Sequence, residues 1–251
     1  MKEIVSSRLI NLVAETQREV RGSNSIYSEN FFPELHTHPI PYFGQLEDAE
    51  ILTVGLNPSS DEFRSGRWPD QQLDPENLAG RLCGYFQRDD PAWHPWFDKW
   101  TAALSSLNAN LRYQTGQVAH IDLSPRATKA ARHIPRPDLF SEMIRRDLSW
   151  FPALLDCAKA ARILLFAGTV NSEQYLIEFL SAHGREHGLH VARSDGQSRR
   201  SLGFYELQFR SRRWPVFFSG SGPSALDGGA KLLENVTRHR KQILVLGSCG
   251  D

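Results

Sequence analysis

The chain has 251 residues, 40% apolar and 23% charged, which is the composition of an ordinary globular protein and a length near the upper limit for one hydrophobic core. Its formal net charge is zero, so a nucleic-acid partner can be argued only from local clusters of basic residues. Cys83, Cys157 and Cys249 are too few for a four-thiolate iron–sulfur cluster and odd in number for a disulfide framework. No apolar run reaches the roughly 18 residues of a membrane span, and Met1-Lys2-Glu3-Ile4 lacks the order of a secretory signal. The expectation is one domain over 1–251, monomeric, cytoplasmic and away from membranes.

In chain order, Leu9, Ile10, Leu12, Val13 and Val20 fall at helical spacing and predict a helix over 6–20, stopped by Gly22-Ser23-Asn24-Ser25. Three prolines between Phe31 and Phe43 predict an extended segment, so 1–45 reads as a helical and extended N-terminal extension. Short apolar runs at 50–55, 117–123, 161–167 and 214–219 predict buried parallel strands. Helices are predicted over about 93–108, about 138–160 with a break near Pro152, 171–183 opened by Asn171 with Gln174, and 225–241 after Ser224. The alternating stretch 202–210 follows Asp195-Gly196 and reads as part of a β-hairpin, within an insertion over 188–213.

Strands alternating with helices predict an α/β fold: three layers, αβα, around a central, mostly parallel four-stranded sheet. Such sheets bind ligands beyond the carboxyl ends of their strands, and three of those ends carry chemistry. After the first comes Gly55-Leu56-Asn57-Pro58-Ser59, a stiff polar turn that points Asn57 outward; the amide can orient a water or merely cap the turn. In the second strand, alternation puts His120 and Asp122 on one face, as site residues or as a core histidine and a loop cap. After the fourth, Ser219 to Asp227 offers small residues that open a helix, suited to a phosphate or to simple capping, with Leu226 at the tip.

Together these residues resemble the uracil-DNA glycosylase superfamily over about residues 42–241. Gly55-Leu56-Asn57-Pro58-Ser59 is similar to the Gly-x-Asn-Pro motif of the mismatch-specific uracil and thymine glycosylases, and Gly222-Pro223-Ser224-Ala225-Leu226 to their x-Pro-Ser-x-Leu motif. The resemblance implies a monofunctional DNA glycosylase with a uracil-DNA glycosylase-like fold. It implies that Asn57 orients the attacking water and that Leu226 fills the stack vacated by a flipped nucleotide. Gly55, Leu56, Pro58, Ser59, Ser221, Gly222 and Ser224 are then substrate-binding positions, with His120 beside them. Gly222 replaces the histidine that many superfamily members carry before Pro-Ser, as in the mismatch-specific branch.

Asp122 aligns with the asparagine that reads the base in uracil-specific members. An asparagine both donates and accepts, whereas an acidic side chain pairs naturally with the amino group of cytosine. The expected substrate is therefore a modified cytosine-type base, including the hypermodified phage cytosine on which bacterial defence members of the superfamily act. A protonated Asp122 would in addition donate to the ring nitrogen. The other readings are a uracil or mismatch repair glycosylase and a catalytically inactive nucleic-acid-binding protein of the same fold.

The expected partner is DNA. Arg126, Lys129, Arg132, His133 and Arg136 form one basic cluster and Arg199, Arg200, Arg210, Arg212 and Arg213 a second, either of which can meet phosphates or be a solvated surface. Phe63, six residues after Asn57, is the candidate for stacking on an extruded base, while the rings crowded into 85–100 read mostly as core. His36 with His38, and His183 with His187 and His190, lack nearby acidic or thiol partners, so neither a metal nor another cofactor is expected.

Overall fold

A computed structural model describes residues 5–27, 38–65, 68–69, 72–88, 95–128, 137–167, 175–193 and 202–219. Their helices are α1 (Ser7–Tyr27), α2 (Pro75–Cys83), α3 (Thr101–Leu107), α4 (Pro137–Asp147), α5 (Trp150–Cys157) and α6 (Tyr175–His183). Their strands are β1 (Tyr42–Phe43), β2 (Ile51–Gly55), β3 (Val118–Asp122), β4 (Ile163–Ala167), β5 (Leu189–Arg193), β6 (Leu202–Phe209) and β7 (Arg212–Ser219). All seven strands join one sheet in the order β1-β3-β2-β4-β7-β6-β5.

The four strands expected from the sequence, now β2, β3, β4 and β7, are adjacent and mutually parallel. The sheet is nevertheless larger than four strands and mixed, because β1 adds antiparallel to β3, and β6 and β5 add antiparallel beyond β7. Residues 202–209 pair with β7 along its whole length, from Leu202↔Ser219 to Phe209↔Arg212, so this part of 188–213 continues the sheet. The connecting turn is Arg210-Ser211, with Arg210 at φ 55°, a conformation that costs a non-glycine residue strain and that no Asn-Gly signature announced.

Burial explains why these segments are strands. Every residue of Ile51-Leu52-Thr53-Val54-Gly55 is buried, as a central strand covered on both faces requires. Phe166 and Phe218, in register on neighbouring strands, are fully buried. At the outer end of β7, the indole of Trp214 donates to the Ala161 carbonyl at 3.0 Å.

Helix boundaries depart from the sequence reading where packing outweighs local signals. The helix α1 runs on past Gly22 to Tyr27; a glycine inside a helix costs only about 1 kcal/mol, and α1 packs against α2 and α5. The break expected near Pro152 lies at Leu148-Ser149, and Pro152 sits in the first turn of α5, where its missing N–H is no loss. The stretch 93–108 contains a 3-10 turn, Phe97–Trp100, followed by the short α3. Helix α2 escaped the sequence reading, although Asp74 caps it by accepting from the Asn77 N–H at 2.8 Å and Pro75 opens it. The expected helix over 225–241 and the opening residues Asn171 and Gln174 lie outside the described residues.

Candidate active site

The site is built where β2 and β3 end side by side, with Gly55 in register with Asp122. Beyond the strands the two loops stay joined by backbone hydrogen bonds. Leu123 N–H donates to Gly55 O at 3.1 Å and Ser124 N–H to Leu56 O at 2.9 Å. Farther out, Thr128 N–H donates to Pro58 O at 3.0 Å and Ser60 N–H to Thr128 O at 2.8 Å, around a parallel bridge between Ser59 and Thr128. Leu56 and Pro58 are buried beneath this ridge, and Asn57 and Ser59 are half-buried on it.

Asn57 is held by its amide nitrogen, which donates to Pro58 O at 3.0 Å, Arg126 O at 2.9 Å and Thr128 Oγ1 at 2.8 Å. Two of these are carbonyls that only accept, so the nitrogen must face them and the amide orientation is fixed. Oδ1 takes no hydrogen bond among the described residues and is left as an oriented acceptor. Asn57 thus fastens the two loops together and also presents a lone-pair-bearing oxygen.

Asp122 and His120 share a face of β3, and His120 Nε2 lies 3.2 Å from Asp122 Oδ1, with both side chains almost fully buried. His120 Nδ1 lies 2.8 Å from Thr53 Oγ1, which is also 2.8 Å from the Tyr113 hydroxyl and 3.3 Å from Ala119 O. Gly55 makes room for this group: a Cβ there would overlap Asp122 Oδ1 and stand 3.1 Å from His120 Nε2. The rings of Phe43, Trp96 and Phe97 surround the imidazole at centroid distances of 5.9, 5.0 and 5.3 Å. Burial, above all, pushes the Tyr113 phenol well above its ordinary value.

The turn after Asn57 brings in a second buried carboxylate. Glu62 accepts from the Tyr85 hydroxyl at 2.7 Å and the Trp68 indole at 3.2 Å, which fixes two rings that lie 6.5 Å apart, nearly parallel. Phe63 is half-buried and packs on Trp68 with ring centroids 5.8 Å apart. Of the rings in 85–100, Tyr85, Phe86, Phe97 and Trp100 are core, whereas Trp96 is half-buried against His120.

Arg126 requires a correction. It is buried, its Nε donates to Asp147 Oδ2 at 2.9 Å, one terminal nitrogen donates to Val20 O at 3.3 Å, and Ser124 Oγ donates to the same carboxylate at 2.6 Å. It therefore ties the β3 loop to α4 and α1 and is not available to a phosphate. Burial raises the Asp147 carboxyl from its ordinary value, against the opposing pull of Arg126 and Ser124.

Of the second basic cluster, Arg199 and Arg200 lie outside the described residues, and Arg210, Arg212 and Arg213 have structural employment at the opposite edge of the sheet. Arg212 donates to the carbonyls of Leu155, Ala158, Lys159 and Ala161 and lies over Trp214, while Arg210 pairs with Asp156 at 2.8 Å and Arg213 with Glu206 at 3.7 Å. Arg212 and Arg213 open β7 and Arg210 lies in the turn before it, and seven strand steps of about 3.3 Å place Arg212 about 23 Å from the carboxyl end of β7. Lys129, Arg132, Ser221, Gly222, Ser224 and Leu226 lie outside the described residues.

Thr53, Tyr113, Thr128 and Glu62 were missed by sequence reasoning. Thr53 left a signal, as the one polar side chain of β2, whereas Tyr113 left none. Among the described residues no cluster of three or more histidine, cysteine or acidic side chains can hold a metal, and no helix is long and apolar enough to cross a membrane. Comparison with protein-family models, with curated proteins and with solved structures finds no match to this chain.

Proposed function

We propose that the protein is a DNA glycosylase that hydrolyses the bond between deoxyribose and a flipped, modified cytosine-type base, leaving an abasic site. The observation that carries this reading is Asn57: its nitrogen is committed to three acceptors across two loops, which leaves Oδ1 as an oriented acceptor for a water. The parallel run of β3, β2, β4 and β7, with both loops at its carboxyl edge, supports a three-layer, uracil-DNA glycosylase-like core inside the larger sheet. The motifs Gly55 to Ser59 and Gly222 to Leu226 support the same family.

In this scheme Asn57 Oδ1 accepts a hydrogen bond from the water that attacks the anomeric carbon, and so orients it. As the new carbon–oxygen bond forms, the sugar–base bond breaks, its electron pair leaves with the base, and the proton shed by the water passes through solvent to the departing base. Asp122 accepts from the exocyclic amino group of that base. Lys129 and Arg132 contact phosphates and Leu226 occupies the vacated stack. Release of hypermodified phage cytosine, as an antiviral defence, is the physiological role that fits.

The test is incubation of the protein with oligonucleotides carrying uracil, cytosine, hydroxymethylcytosine and glucosylated hydroxymethylcytosine, scored for alkali-cleavable abasic sites. Release from a cytosine-type substrate is expected, and Asn57→Ala retains DNA binding while losing release by about 10²-fold or more. Undiminished release by that variant refutes the assignment of Asn57.

A further inference from the structure

The chain of buried polar groups behind Asp122 has a direction that follows from counting its protons. Tyr113 is buried, and among the described residues its hydroxyl meets only Thr53 Oγ1, at 2.8 Å. A buried hydroxyl proton left without an acceptor is costly, so the phenol donates to Thr53. The burial that raises the phenol's proton affinity favours the same arrangement.

Thr53 then has one proton to give and two acceptors in reach, His120 Nδ1 at 2.8 Å and Ala119 O at 3.3 Å. The shorter contact takes it, which makes Nδ1 an acceptor. An imidazole with Nδ1 accepting carries its proton on Nε2, and Nε2 lies 3.2 Å from Asp122 Oδ1. If His120 gains a second proton, Thr53 turns to Ala119 O and Nε2 still donates to Asp122. The opposite arrangement, with Nδ1 protonated and Asp122 donating to Nε2, forces Thr53 onto the longer contact.

We infer that Tyr113, Thr53 and His120 form a one-way hydrogen-bond relay that holds Asp122 Oδ1 as an acceptor, and so select bases that bear an exocyclic amino group over their oxo counterparts. The substrate part of this inference rests on the glycosylase reading. Thr53 and His120 are positioning residues, since they act through Asp122. The Phe43, Trp96 and Phe97 rings around the imidazole offer it no competing carboxylate.

The experiment has two arms. Ring-nitrogen NMR of the full chain with labelled histidine, assigned by the signal lost in His120→Gln, reads the tautomer directly; a proton on Nε2 is expected, and an unprotonated Nε2 overturns the relay. The second arm compares base release from hydroxymethylcytosine and hydroxymethyluracil oligonucleotides. His120→Gln, which keeps a donor towards Asp122, is expected to retain the wild-type preference within about 3-fold, and His120→Phe to lose at least about 10-fold of it. Equal preference in wild type and His120→Phe overturns the selective role. If wild type releases no base from any oligonucleotide, the glycosylase reading and the selectivity built on it both fall, while the NMR arm still decides the relay.

Discussion

Replacing Gly55 by alanine adds a single carbon at the point where β2 meets the Asp122 carboxyl. The backbone of Gly55 is not among the positive-φ glycines, so the substitution tests space alone. The added Cβ would overlap Asp122 Oδ1 and press on His120 Nε2 and Cε1 at 3.1 and 3.2 Å. The backbone cannot recede, because Gly55 O is bonded to Leu123 N–H at the first rung of the joined loops. The carboxyl must therefore swing by about 1 Å, and overpacking of this kind costs about 1–3 kcal/mol. At some 2–4 °C per kcal/mol for a chain of this size, Tm falls by about 2–12 °C, which thermal denaturation measures. The same displacement at a reacting group costs about 10²-fold in turnover, read as single-turnover base release. An alanine variant that matches wild type in both Tm and release refutes the placement of Asp122 at the reacting base.

Asp122→Asn puts a donor at the position proposed to read the base and is expected to shift preference towards uracil by about 10-fold or more in the matched oligonucleotides; no shift sinks the assignment. Arg126→Met leaves Asp147 buried beside a single hydroxyl donor, at a cost of about 3–5 kcal/mol seen in denaturant unfolding, and Arg126→Met with Asp147→Leu is expected to recover most of it. DNA affinity measured on the folded double variant should be unchanged, since Arg126 is not a phosphate contact. Asp74→Ala lowers Tm at neutral pH by removing the cap of α2. The Asn77 N–H holds the folded Asp74 carboxyl below its ordinary 3.8, so its stabilisation is present above that value and fades as pH falls through the lowered one. The Tm gap between wild type and Asp74→Ala should therefore close in acid.

Local patterns revealed the parallel strands and the two loops that carry Asn57 and Asp122. Short apolar runs have one way to be buried on both faces, and alternation alone put His120 beside Asp122. What stayed hidden depends on contacts between distant segments. Arg126 looks like a phosphate contact in sequence because Asp147, which neutralises it, lies 21 residues away at the end of α4. Thr53 and Tyr113 meet across 60 residues. The Arg210-Ser211 turn carries no usual hairpin residues, so the extension of the sheet through β6 and β5 was read as an appendage. Gly22 looked like a stop because the gain from packing α1 against α2 and α5 is not written in its own residues.

The rungs that join Pro58 and Ser60 to Thr128 make the two loops a single mechanical part. Substitutions on one loop should therefore couple energetically to substitutions on the other, and a double-mutant cycle between Asn57 and Thr128 should be far from additive. An engineer who replaces either loop must keep the backbone path of residues 55–60 and 122–128, because each rung needs its amide and its carbonyl where they now stand.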